Sequence, residues 1–152
     1  MRVYLPCTLP ALATAVKLGE LGPAPLTGYA VTPALTEAAR ASLRMLAADR
    51  ADGVQAPARR VVIAAEVPES AARAGADLEE RARVRLAQAV PLTKVAAVHI
   101  DDVEATADVE AALAALPAAD EGDDDARFTV DGAEAHELMW YATQEIPDLL
   151  RS

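Results

Sequence analysis

The sequence predicts an α+β fold, a mixed and mainly antiparallel sheet of about five strands with helices chiefly on one face, and a ferredoxin-like arrangement is the alternative. Three observations lead there. Short apolar runs that suit strands recur at residues 2–5, 26–31, 61–67 and 95–100. Amphipathic segments with capping residues alternate with them in the first third of the chain. Later strands follow one another without a helix between them, which an all-parallel sheet does not permit. The 152 residues fit one domain spanning 1–152.

Residues 2–5 form the first strand, and Pro6 is expected to stop it. Thr8 caps a helix running to about Leu18, with Leu9, Leu12, Ala13 and Val16 on one side and Gly19 and Gly22 as stop signals. After a brief strand at 26–31, Thr32-Pro33 opens a second helix as N-cap and first helical residue. Leu35, Ala39, Leu43 and Leu46 are its apolar stripe, and it ends near Arg50. The run 61–67 suits a central strand covered on both faces. A linker with a helical turn follows at 68–78. Residues 81–90 alternate, with Arg81, Arg83 and Arg85 facing one way and Ala82, Val84 and Leu86 the other.

The apolar strand 95–100 leads to Asp101 or Asp102 as the cap of a third helix. Its inward stripe is Val103, Thr106, Val109, Leu113 and Leu116, and Pro117 ends it. Residues 120–125 read as an acidic loop that fails the calcium-loop pattern, and 128–130 as a short edge strand. Asp131 and Glu134 have capping-box spacing, which opens a last helix running to Ile146 before Pro147.

Composition narrows the function classes. The chain has 37 alanines against five Phe, Tyr and Trp, so its core is finely grained and sensitive to added volume. Its single cysteine, Cys7, excludes an internal disulfide and points to the cytoplasm. Ala13-Thr14-Ala15 resembles a signal-peptidase site, but residues 3–16 read better as a strand and a capped helix. No run reaches the length of a membrane span. The net charge of −10 is uneven: residues 1–60 carry seven Lys/Arg against four Asp/Glu, and the last 52 carry two against fifteen. Nucleic acid and anionic membrane are therefore not expected partners. Nucleophile-elbow, phosphate-loop and dinucleotide-binding motifs are missing from the sequence.

Four segments carry a family resemblance: Met1-Arg2-Val3-Tyr4-Leu5-Pro6 with Thr8-Leu9-Pro10; Tyr29-Ala30-Val31-Thr32-Pro33-Ala34-Leu35; Val95 through Asp102; and Trp140-Tyr141-Ala142-Thr143-Gln144-Glu145-Ile146-Pro147. Together they resemble an uncharacterised family of actinobacterial proteins classed as a domain of unknown function. The resemblance implies a bacterial cytoplasmic protein and no activity, ligand or catalytic residue. Cys7 stands where the family pattern has alanine.

Within the expected last helix, Ala135, Leu138, Met139, Ala142 and Ile146 form the inward stripe. His136, Trp140 and Gln144 lie along one flank with Glu137 and Tyr141 beyond it. Aromatic residues on a polar flank need cover, from the chain's own termini, a partner or second copy, or a small ligand. The leading reading is a non-enzymatic interaction or ligand-binding protein that docks through this helix as a homo-oligomer or on a protein partner. The alternative is a small hydrolase or metal-dependent enzyme combining His99 and Asp101 with His136 and Glu137. Arg81, Arg83 and Arg85 are candidates to hold an anion, though pairing with the acidic C-terminal third explains them too. No cofactor and no metal site are expected.

Overall fold

The computed structural model describes residues 1–31, 33–74 and 82–151. Strand β1 (Arg2–Cys7) pairs with β3 (Leu26–Tyr29) on one side and β4 (Val61–Glu66) on the other. Beyond β3 lie β6 (Arg83–Leu86) and then β5 (Ala72–Ala74); beyond β4 lie β8 (Val95–Ile100) and then β9 (Met139–Ala142). All six pairings of this seven-stranded sheet are antiparallel. A separate ribbon joins β2 (Glu20–Leu21) to β7 (Val90–Pro91).

The α+β class and the mainly antiparallel sheet are as expected, but seven strands replace about five. Ala72-Arg73-Ala74 lacks the β-branched residues that mark a strand, and β9 lies where the sequence predicts helix. Pro6 does not stop β1, which runs alongside β4 to Cys7.

Helices cover both faces, which corrects the expectation of helices chiefly on one. The reason is β4, where Val61 to Ala65 are all fully buried and both sides of the strand need cover. Val3, Leu5, Val61, Ile63, Val98 and Ile100 point to one face, under α1 (Leu9–Leu18) and α5 (Ile146–Arg151). On the opposite face Val62 and Tyr4 pack under Ala38 and Ala39 of α2 (Ala34–Ala51). Alanines there let the helix lie close to the sheet. Behind α2, Leu43 and Leu46 pack against Val109, Ala112 and Leu116 of α3 (Thr106–Asp120), and α3 in turn packs on α4 (Asp124–Gly132).

Thr8 caps α1 by accepting from the Ala11 N–H, and Gly19 closes it at φ +80°, as predicted. Thr32, the expected cap of α2, lies outside the described residues. Pro117 sits inside α3, which runs on to Asp120, and Val103 of the expected inward stripe is exposed.

The C-terminal third departs furthest from expectation. Of the acidic stretch read as a loop, Asp120 ends α3, Glu121 and Gly122 make the turn, and Asp124 and Asp125 open α4, which also takes in the strand read at 128–130. Asp123 caps it by accepting from the backbone N–H groups of Asp125 and Ala126, and the acids of its first turn complement the helix dipole. The long last helix does not form. A 3-10 turn at Ala133–Ala135 leads into β9, a second at Thr143–Glu145 leads out, and the short α5 follows. The period of two wins because β8 needs a partner: opposite Val98, Tyr141 turns to the core, while Trp140, opposite His99, turns to the other face. Pro147 falls in the first turn of α5, where its missing N–H costs nothing. Among the described residues no helix is long and apolar enough to cross a membrane.

Replacing Asp123 by Ala removes the cap of α4 and is expected to cost about 1 kcal/mol of stability by urea unfolding. An unchanged unfolding midpoint contradicts the capped helix.

Candidate functional site

One end of the sheet carries a row of buried polar groups. Ser42 of α2 donates to the Cys7 carbonyl at 2.7 Å and accepts from the Val61 N–H at 2.9 Å, joining helix, β1 and β4. Thr8 donates to Asp49 at 2.8 Å. Cys7 lies beside this row, fully buried, and burial pushes its thiol up to about 12. It is no nucleophile in the folded protein.

At the same end, Arg60 directly precedes β4 and Asp101 directly follows β8. Their side chains are 3% and 0% exposed and 2.7 Å apart. Asp101 Oδ2 accepts from both the backbone N–H and Nε of Arg60, and Oδ1 accepts from Nη2. The Asp101 N–H returns a bond to the Arg60 carbonyl, and Arg59 donates to the Asp101 carbonyl. Arg60 Nη2 also donates to the His136 carbonyl at 2.9 Å, which ties the connection entering β9 to the end of β4. Asp101 is therefore a partner of a buried guanidinium and not a helix cap. Sequence reasoning missed Arg60 because an arginine beside another arginine before an apolar strand reads as surface.

The four side chains of the enzyme alternative do not gather. His99 stands half-buried on the α2 face of β8, its ring centroid 6.0 Å from that of Tyr4. Burial, and then the Arg2 charge, push its pKa below the usual histidine value. His136 binds Asp108 of α3 at 2.6 Å, Asp101 is held by Arg60, and Glu137 is exposed. Among the described residues no three His, Cys, Asp or Glu side chains are grouped to hold a metal.

Arg83 and Arg85 point outward from β6, and Arg73 of β5 stands directly opposite Arg85. Arg81 lies outside the described residues. Among the described residues, arginines of the first sixty residues pair with the acidic third: Arg40 with Glu134, Arg44 with Asp120, Arg50 with Glu110, and Arg60 with Asp101. By the hydrogen bonds they donate, Arg40, Arg44 and Arg50 hold the pKa values of Glu134, Asp120 and Glu110 below the ordinary carboxylate value.

Of the aromatic flank, Trp140 is 61% exposed beside His99, Met139 is 46% exposed, Tyr141 packs against the core, and Gln144 is exposed in the turn after β9. β9 is the last strand of the sheet. The Ala142 N–H is taken by Glu145, so the backbone groups of Ala142, and by alternation those of Trp140, face away from β8.

Two cavities adjoin Arg60. One of about 420 Å³ lies between α2 and the α3–α4 pair, and one of about 470 Å³ reaches toward His136, Glu137 and Leu138; Ala39, Arg60 and Glu134 line both.

Residues 1–150 match the model of a family of unknown function, DUF6912, and the chain belongs to it. No curated protein and no solved structure matches.

The lowered His99 pKa sets a pH dependence. The unfolded chain takes up this proton more readily than the folded one, so stability falls as pH drops below about 6.5. His99→Gln is expected to flatten that slope in urea unfolding between pH 7 and pH 5; an unaltered slope contradicts the assignment.

Proposed function

We propose that this member of a family without an assigned function is a non-enzymatic interaction protein that binds an extended, basic-flanked segment of a partner along the β9 edge. The observation that carries the reading is Trp140, 61% exposed on a terminal strand whose residues Met139–Ala142 bear no charge. Sheet edges left bare in soluble proteins are usually protected by lysine, proline or a bulge. β9 has none of these. The far edge, β5, is short and carries Arg73.

A partner strand would gain backbone bonds at Trp140 and lay its side chains against the indole and the Met139 thioether. Exposed Glu137 and Glu145 flank the strand, and residues 101–152 carry fifteen acids against two basic residues. This charge favours a basic segment. A second copy would bring the same acids face to face. This charge pattern separates the two occupants that an uncharged edge alone leaves equal. A cytoplasmic setting accords with the single unpaired cysteine.

Trp140 is the only tryptophan, so its emission reports on this edge alone. Titration with a synthetic peptide of alternating Val and Thr flanked by lysines is expected to shift the emission to the blue. Calorimetry should show Trp140→Ala weakening the peptide about 30-fold, as for an interface anchor of about 2 kcal/mol. Unchanged emission overturns the reading, as does equal binding of a glutamate-flanked peptide or sedimentation as a dimer that Trp140→Ala dissociates.

A further inference from the structure

The buried Arg60 guanidinium does not use all its donors. Nε and Nη2 are spent on Asp101 and the His136 carbonyl, while Nη1 makes no hydrogen bond with any described residue. No fully buried side-chain nitrogen or oxygen among the described residues lacks a partner. Nη1 is therefore not sealed in protein; it opens onto the cavity space that Arg60 lines. A side chain 97% withdrawn from solvent, held rigid by a forked carboxylate, thus presents a preorganised N–H pair to a hollow.

The hollow has the size and lining of a ligand site. Its volume of about 420 Å³ lies within the usual range for small-molecule pockets. Leu43, Leu116, Val130 and Ala119 supply apolar walls. Of the three carboxylates that line it, Glu134 is committed to Arg40 through two bonds and Asp120 to Arg44 through two, and Asp131 lies in the field of the Arg40 charge. Arg127, also in the wall, has only a long 3.4 Å contact to the Ala119 carbonyl. What the site lacks is an acceptor for Arg60, joined to a body that prefers the leucine and valine walls to water.

We infer that the cleft between α2 and the α3–α4 pair binds an organic monocarboxylate with an apolar body, its carboxylate accepting from Arg60 Nη1 and its body lying on Leu43, Leu116 and Val130. Arg127 is the second cation that such a headgroup meets. This site is distinct from the β9 edge, and neither needs the other to be occupied.

Octanoate and 4-phenylbutyrate are suitable probes, with octanol as the uncharged control. Titrated into the full chain and followed by amide NMR, both acids are expected to bind with submillimolar to millimolar Kd. The shifts should be confined to α2, α3, α4 and the residues around Arg60. Octanol should bind at least tenfold more weakly. Arg60→Gln removes the donor but also breaks the ion pair with Asp101. Ala119→Phe serves as the second variant, because it fills the cavity from its wall and leaves Arg60 intact. It should weaken octanoate at least tenfold while retaining the far-UV dichroism of the folded protein. Absence of shifts at 10 mM acid overturns the proposal. So does octanol binding as well as octanoate, which makes the cavity an apolar sink, or full binding by Ala119→Phe, which places the acid elsewhere.

Discussion

The ion pair of Arg60 with Asp101 is the interaction on which the rest of this structure hangs. It joins the start of β4 to the end of the neighbouring strand β8 through three bonds to one carboxylate. The same guanidinium then reaches across to the His136 carbonyl and fixes the chain where it turns into β9. A buried pair of this kind gains little over a well-packed apolar pair, yet losing one partner strands a charge in the interior at a cost of about 3–5 kcal/mol. Its value here is positional. It sets where β9 joins the sheet, and it leaves one guanidinium nitrogen facing the cleft.

Charge and alanine content take their meaning from this frame. The excess of acid in the last third is not only a solvated surface: Asp123 caps α4, and Asp120, Glu110 and Glu134 receive arginines from α2. These exposed pairs are individually weak. They act by orienting α3 and the turn after α4 against α2, while the stability comes from Leu43, Leu46, Val109 and Leu116 beneath them. The small alanines of α2 bring that helix close to Val62, and the cleft opens where α2 parts from α4.

Local signals made the main elements of the first hundred residues legible, though not β5 or the β2–β7 ribbon. Thr8 and Gly19 bound α1, the stripe through Leu43 and Leu46 marks α2, unbroken burial marks β4, and the alternation of Val84 and Leu86 with arginines marks β6. The C-terminal third was not legible for a physical reason. Ala135, Leu138, Met139, Ala142 and Ile146 fit a helical stripe, and only the bare edge of β8, a long-range demand, makes residues 139–142 a strand. Of the candidate site, Trp140 was visible as an aromatic needing explanation, and its exposure survives the change from helix to strand. Asp101 was visible as an acid but misread as a cap, because its partner lies 41 residues earlier in the chain. Arg60 carried no sequence signal.

A double-mutant cycle on Arg60→Met and Asp101→Leu in urea tests the central claim most directly. Each single substitution is expected to cost about 3–5 kcal/mol, and the double substitution well below their sum, because neither charge is then left alone. Single substitutions that each cost under about 1 kcal/mol, or costs that simply add, contradict the account.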